Sequence, residues 1–568
     1  MRSWWKEAIG YQIYPRSFFD SNGDGIGDLA GITSKLDYLQ KLGVNLLWLC
    51  PFFKSPMDDN GYDISDHYHV DPSFGSDEDL RTLIDEVHRR DMKIIFDFVL
   101  NHTSDEHPWF IEARNNPQSE AHQYYIWHPG KFDKTGKRHR PNNWRGFFAD
   151  SAWKFDRKAG QYYMKIFSKK MPDLNWEKPL LRQKIYEVAH HYLSLGVDGF
   201  RLDAIAHLAR DTTFSDSTYK THPDGTVLDY RKFSNLPRLY DYLAEFKKEV
   251  LDHYDCVSIG EVGGGASTNE ALRYSGYEQG SINMVFNFDT CWENGGFGNE
   301  TARDEDLKTN VKNMKAIFKK WYDACDQKAW LPIYWLNHDH PRVVSQYGHI
   351  KYRYESATML ATVLLFMYGT PFIYNGEEIG MSNVDYQKLE DFKDVSALNY
   401  ANDARKRRTP EEILRFLRRT SRINARTPMQ WSAEPFAGFS TVEPLTKVNG
   451  NYQAVNVQSQ EDDPNSILNY YRKAIALRKE PQILNLVLDG HFDLLDLDHE
   501  DVFAYVHQGN PRLVVIANFR KEIVTYPYSY GDKEHQILLA NYIDRKEVTS
   551  PLKLRPFEAL VMLIQTES

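Results

Sequence analysis

A chain of 568 residues, 42% hydrophobic and 14% aromatic, is long enough to bury a large core and to divide into several units. Its 69 Lys and Arg against 79 Asp and Glu leave a net charge of -10 with no basic block, which argues against a nucleic-acid or anionic-membrane partner. The charged start, Met1 to Glu7, lacks the apolar run of a secretory signal, no segment has about 18 uninterrupted apolar residues, and Cys50, Cys256, Cys291 and Cys325 lie far apart; these features lead to the expectation of a cytoplasmic protein with reduced thiols.

The first apolar run, Ile9 to Phe18, is followed by Asp20-Ser-Asn22-Gly-Asp24-Gly25-Ile26-Gly-Asp28. Oxygen-bearing side chains at alternate positions, with glycine at the sixth, match the opening of a calcium loop in which Ile26 supplies a backbone carbonyl. Gly31 stands where an EF-hand has its bidentate Glu, so Asp28 must finish a compact site. The expectation is a structural Ca2+ site, with Mg2+ as the second choice.

Seven more apolar runs follow: Val44 to Cys50, Lys93 to Leu100, Val197 to Ala204, Val257 to Val262, Ile282 to Phe288, Trp330 to Leu336 and Leu364 to Tyr374. Helical patterns such as Asp77 to Arg90 and Pro179 to Leu195 separate them. Strands alternating with helices in this way predict an α/β fold, a (β/α)8 TIM barrel with its function at the C-terminal strand ends. The barrel is expected in two parts, 1–102 and 171–485, because residues 103–170, rich in Trp, Tyr, His and Asn, form too long a connection and should be a small lobe over the mouth. The polar stretch 385–465 is a further elaboration. Past Leu486, the short alternating runs Val502 to His507, Leu513 to Asn518 and Ala559 to Ile564 predict a C-terminal antiparallel β domain, 486–568.

Polar residues gather where the predicted strands end. The third ends Asp97-Phe-Val-Leu-Asn101-His102, the fourth carries Arg201 and Asp203, the fifth ends at Glu261, and the seventh runs into Asn337-His338-Asp339-His340. Within Gly199-Phe-Arg-Leu-Asp203, alternation aims Arg201 and Asp203 to the same side. One such pair commonly does no more than hold a loop. Three carboxylates and two histidines at the ends of four barrel strands converge on one mouth.

The segments DFVLNH, GFRLDAIAH, IGEVGG and NHD, with MPDLNW, resemble the α-amylase family of glycoside hydrolases. DSNGDGIGDL, MDDNGYDISD, FIYNGEEIG and ARTPMQW are similar to the group containing oligo-1,6-glucosidases, α-glucosidases, dextran glucosidases and sucrose isomerases. The resemblance implies Asp203 as nucleophile, Glu261 as acid/base and Asp339 as transition-state stabiliser. A retaining glycosidase needs one ionised carboxylate to attack the anomeric carbon and one protonated carboxyl to assist the leaving group, about 5 Å apart. Arg201 is expected to keep Asp203 ionised, while Glu261 has no cation beside it in sequence and can store a proton. His102 and His338 are expected to bond sugar hydroxyls.

The same resemblance implies Tyr62 as the platform for the non-reducing glucose, Asp59 as partner of its distal hydroxyls, Arg426 of ARTPMQW completing that end, and Phe167 as a wall. An Asp-Arg pair shutting the far side leaves room for one sugar and favours cleavage from chain ends. Met171, Asn375 and His340 depart from the usual Gln, Gln and Gln/Asn/Thr, and His340 could touch the acceptor. Ala204, directly after the nucleophile, is the residue whose Val counterpart accompanies α-1,6 preference in related enzymes. It leads to the expectation of an exo-acting α-glucosidase on maltose and short α-1,4 oligosaccharides, with some transglucosylation. The alternative is an oligo-1,6-glucosidase or dextran glucosidase. A sucrose isomerase is disfavoured because Phe288-Asp-Thr-Cys-Trp-Glu-Asn-Gly lacks the RLDRD stretch of those relatives, and a transporter heavy chain because the carboxylates are retained without an anchor. The expected partners are small oligosaccharides, with the chain a monomer or homodimer.

Overall fold

The computed structural model describes residues 2–148, 150–289, 309–530 and 533–565. Eight parallel strands form its centre: β1 Gly10–Ile13, β2 Leu46–Leu49, β3 Lys93–Val99, β4 Gly199–Asp203, β5 Val257–Glu261, β6 Met284–Phe286, β7 Pro332–Tyr334 and β8 Thr370–Tyr374. They pair in the order β6-β5-β4-β3-β2-β1-β8-β7, and a parallel bridge from Met284 to Trp330 joins the two ends into a closed (β/α)8 barrel. Each strand lies within one of the apolar runs, buried on both faces because helices cover the outside.

Two runs are longer than their strands for identifiable reasons. Pro15 has no N–H to extend the ladder and opens a 3-10 turn, Pro15–Ser17, so β1 stops at Ile13. Leu364 and Leu365 belong to the helix Arg353–Leu365, whose residues 356–365 are all buried; an element buried all round shows no clear period by which to tell helix from strand. The helix Asp77–Arg89 begins with a full capping box, in which Asp79 N donates to Ser76 Oγ at 3.2 Å and the Asp79 carboxylate accepts in return. It lays Leu80, Leu83, Ile84 and Val87 on the barrel.

Between β3 and β4 a three-stranded sheet, Trp127–His128, Gln161–Met164 and Trp153–Asp156, packs around Ile126, Trp144, Trp153, Met164 and Ile166. Phe233, from the segment after β4, completes that small core, and Phe214 packs against it. After β8, the helices Val395–Ala404 and Pro410–Thr420 enclose another cluster with Phe392, Ile413 and Phe416.

The chain ends in a five-stranded antiparallel sheet: β9 His491–Leu495, β10 Val502–Gln508, β11 Arg512–Asn518, β12 His535–Ala540 and β13 Ala559–Ile564. Alternation divides β10 between two cores: Val502, Ala504 and Val506 pack within the sheet's own core, whereas Phe503 and Tyr505 join the barrel core. Tyr505 Oη donates to the Val363 carbonyl at 2.8 Å, and Lys315 Nζ donates to the carbonyls of Asp496, His499 and Val502 at 2.6 to 3.0 Å. Among the described cysteines Cys50, Cys256 and Cys325 are free thiols; Cys291 and most of the Phe288 to Gly295 stretch lie outside the described residues. No helix among the described residues is long and apolar enough to cross a membrane.

Candidate active site

The C-terminal ends of β3, β4 and β5 bring three carboxylates to one guanidinium. Arg201 Nη1 donates to Asp97 Oδ1 at 2.7 Å and to Asp203 Oδ1 at 2.5 Å, while its Nη2 donates to Glu261 Oε2. This corrects the expected division, in which Arg201 served Asp203 alone: residues apart in sequence are neighbours across the parallel register Arg201↔Asp97 and Arg201↔Ile259. One positive charge cannot neutralise three acids, of which Asp97 and Asp203 are buried and Glu261 is partly so. Burial pushes Asp203 well above the ordinary carboxylate range, Arg201 opposes it, and the charges of Glu261 and Asp97 add to it. Asp97 is raised as well, by burial that outweighs Arg201. Asp203 and Asp97 therefore retain protons more readily than isolated carboxyls, so Arg201 does not by itself keep Asp203 ionised as expected.

A second chain of contacts fixes the floor. Gln12 Nε2 donates to His338 Nδ1 at 2.8 Å, so Nε2 carries the ring proton and faces Tyr62 Oη at 2.7 Å. Tyr62 Oη in turn donates to Asp97 Oδ2 at 3.0 Å, which also accepts from Trp48 Nε1 at 3.1 Å. The Tyr62 and His338 rings are nearly parallel, 5.4 Å apart.

At the far end stands a residue that motif reading did not single out. Arg422 Nη2 donates to Asp59 Oδ1 at 3.0 Å, Nη1 to Asp339 Oδ1 at 3.0 Å, and Nε to Asp394 Oδ1 at 2.8 Å. Arg426, expected there, instead donates to Asp339 Oδ1 at 2.7 Å and to the His338 carbonyl at 2.9 Å. Burial alone would raise Asp339, but His338 and the two arginines more than offset it and hold its carboxyl well below the ordinary range. The arginine loop is pinned from behind by the fully buried Arg342, which donates to the carbonyls of Asn375, Asn424 and Ala425 at 2.5, 3.1 and 3.0 Å.

His102 and Phe167 form a side wall, their ring centres 5.2 Å apart. Burial pushes His102 down to about 3, so the ring is neutral; its Nδ1 lies 3.1 Å from Asn101 Nδ2, and its Nε2 has no hydrogen-bond partner among the described residues. Ala204 leaves the strand in the left-handed region, at φ 50° and ψ 30°, and its N–H points to Glu261 Oε2 at 3.4 Å. Of the departures, Met171 is buried, Asn375 Oδ1 accepts from Tyr14 N at 3.0 Å, and His340 is buried and pushed down to about 4 by that burial.

The Asp20 to Asp28 loop lies apart from this cluster, against Ser440. Asp20 Oδ1 accepts from the N–H groups of Asn22 and Gly23, and Oδ2 from Gly25 N and Ser440 Oγ. Asp24 Oδ1 accepts from Ile26 N, Asn22 Oδ1 from Asp24 N, and Asp28 from Ser21 and Gly31 N while capping the helix Leu29–Ser34. Asp20 thus has its lone pairs occupied, whereas Asn22, Asp24, Asp28 and the Ile26 carbonyl keep acceptor capacity. Among the described residues, no group of three or more His, Cys, Asp or Glu side chains forms a ready-made metal cluster.

A closed parallel barrel with buried acids crowded at the ends of neighbouring strands is the architecture of a glycoside hydrolase, and the chain belongs to the α-amylase family, whose catalytic-domain profile (Alpha amylase, catalytic domain) matches residues 12–486. It is 43% identical over 571 residues to an oligo-1,6-glucosidase of Bacillus cereus, covering 99% of this chain and 100% of that one. Identity to the oligo-1,6-glucosidase of Parageobacillus thermoglucosidasius is 43% over 575 residues, 99% of each chain. Among solved structures it is similar to isomaltulose synthase from Erwinia rhapontici NX5, with a TM-score of 0.92, 36% identity and full coverage of both chains.

Proposed function

We propose that this glycoside hydrolase is a retaining, exo-acting α-glucosidase whose leading substrates are short α-1,6-linked gluco-oligosaccharides. The observation that carries the reading is Arg201 bonded at once to Asp203 and Glu261. Two carboxyls on one guanidinium fit the separation of about 5 Å used by retaining enzymes rather than the wider gap that admits a water. With the proton of the cluster passed to Glu261, the ionised Asp203 attacks the anomeric carbon as the glycosidic C–O bond breaks, and Glu261 delivers that proton to the departing oxygen. Water then adds to the glycosyl ester, returning its proton to Glu261 and freeing Asp203. Asp339, held ionised, faces the positive charge that develops on the sugar. Asp59 with Arg422 shuts the far end, and Tyr62, His102, His338 and Phe167 surround one glucose unit.

The α-1,6 preference rests on the two oligo-1,6-glucosidase relatives. The α-1,4 reading keeps one observation in its favour, the small side chain of Ala204 beside Glu261. Product analysis and kcat/KM on isomaltose, maltose and sucrose test both readings, with glucose transfer scored at high sugar concentration. A maltose preference selects the second reading, and an isomerised disaccharide from sucrose overturns hydrolysis.

The Asp20, Asn22, Asp24, Ile26 and Asp28 loop is part of the proposal as a structural site for Ca2+ ahead of Mg2+, its donors being oxygen throughout. The Asp20 carboxylate would exchange a backbone donor for the ion. Elemental analysis and melting with and without excess chelator test it: an unchanged melting curve and no metal remove the site. The free thiols suit a reducing compartment, in keeping with the cytoplasmic expectation.

A further inference from the structure

Beyond Glu261 the chain runs through three consecutive glycines, Gly263, Gly264 and Gly265, which offer a bound sugar no side chain on that flank. Phe288 lies against Gly263, and the exposed aromatic of the run is Tyr230: a Cβ placed on Gly265 would lie 4.0 Å from Tyr230 Cδ2. Asn235 ties the two segments together, its Nδ2 donating to the Gly263 carbonyl at 3.1 Å. Tyr230 opens a short 3-10 turn, Tyr230–Lys232, whose entry is capped by Asp229, and its carbonyl accepts from Ser234 N at 2.7 Å, so the backbone under the ring is fixed.

The ring belongs to a continuous series. Tyr230 stacks on Phe147 at 5.8 Å and 24°, Phe147 stacks on Phe167 at 5.3 Å and 25°, and Phe167 meets His102. A ladder of aromatic faces therefore climbs from the wall of the glucose pocket to the rim, where Tyr230 is 40% exposed. The other exposed tyrosines are engaged: Arg231 lies 5.1 Å from the Tyr219 ring, Lys6 4.7 Å from that of Tyr277, and the Tyr68 ring meets His191 edge-on at 5.4 Å. Lys232 is turned to Asp211, 2.7 Å away.

We infer that Tyr230 is the stacking platform for the leaving-group sugar and, in transfer, for the acceptor sugar. The acid that protonates the glycosidic oxygen must have the leaving sugar beside it, and of the aromatic side chains bordering the loop of Glu261 it is Tyr230 that is exposed at the rim. A rigid aromatic face matches the C–H face of a pyranose and loses little freedom on binding. The inference rests on the reading of Glu261 as acid/base.

The test compares α-glucosyl fluoride, which has no leaving sugar, with isomaltotriose and maltotriose. In Tyr230→Ala the ratio of kcat/KM on each trisaccharide to that on the fluoride falls about tenfold, and the fraction of glucose transferred falls with it. Tyr230→Trp restores the ratio, and both variants melt within a few degrees of wild type. Unchanged ratios, or equal losses on all three substrates, overturn the platform. A wild type that does not turn over the fluoride, or an Asp203→Asn variant that does, overturns instead the glucosidase reading beneath it.

Discussion

Arg201 donates to Asp203 across 2.5 Å from two positions back on the same strand. The spacing is what a β-strand supplies without effort, since residues i and i+2 share a face. Its consequence is electrostatic: the cation that orients Asp203 also holds Asp97 and Glu261, so one positive charge is divided among three carboxyls.

Asp203→Asn is expected to lower kcat on isomaltose at least about a thousandfold with an unchanged fold, because an amide cannot form the glycosyl ester. Glu261→Gln should cost about a hundredfold or more on isomaltose and much less on α-glucosyl fluoride, whose leaving group needs no proton. Steady-state kinetics with circular dichroism as the folding control decides this. A tenth of wild-type rate surviving in Asp203→Asn would refute the nucleophile.

Arg422→Lys should raise KM for isomaltose by about tenfold, since one ammonium cannot reach three carboxylates as a fork of donors does. Asp339 keeps Arg426, but at least one of Asp59 and Asp394 is left short of a counter-charge. The measurement is KM and melting temperature together; a variant with wild-type KM would place the far end of the glucose pocket elsewhere.

Ala204→Val must hold a β-branched residue at φ 50°, which is expected to cost about 1 to 2 kcal/mol in stability. The two added methyl groups also narrow the acceptor side and should move the isomaltose-to-maltose ratio of kcat/KM toward isomaltose. Denaturant titration and the two kinetic constants check both halves. An equally stable variant with an unmoved ratio contradicts the account.

His507 is buried against the barrel, and burial pushes it down to about 4, with the carbonyl of Phe366, 2.8 Å away, opposing that shift. Its unfolded value is about 6.5. Between these limits the unfolded chain binds the proton more tightly, so this contribution is complete above about pH 6.5 and is lost as pH falls toward 4. His507→Gln, which keeps a donor for Phe366, should therefore lose about 2 kcal/mol less than wild type on going from pH 7 to pH 5. Denaturation midpoints at the two pH values measure it; equal losses would show that His507 does not carry the effect.

The barrel was legible because its strands are short, apolar and buried on both faces, as in Leu46–Leu49 and Thr370–Tyr374, and because Asp203 and Glu261 close such runs with a charge. Arg422 was not, since it follows Arg418 and Arg419 in the last turn of Pro410–Thr420 and nothing local marks it as the one turned inward. Its meaning comes from Asp59, 363 positions away in the chain. The sharing of Arg201 by three acids was hidden for the same reason, because Asp97 and Glu261 become its neighbours only through strand pairing. Leu364 and Leu365 show the limit of hydrophobic runs, which report burial before they report geometry.

The dependence of Asp59 on Arg422 also sets a timetable for synthesis. A ribosome making this chain delivers Asp97, Asp203 and Glu261 long before the residue that ties Asp59 to Asp339, so the emerging barrel carries its acids at an unfinished, water-filled mouth. Only when the chain has been extended past the loop that Arg342 clamps can the far end of the pocket shut. A truncated product ending before Arg422 would own Asp203, Glu261 and Asp339, the three carboxylates proposed for catalysis, and still lack the arginine that closes the far end of the proposed glucose pocket.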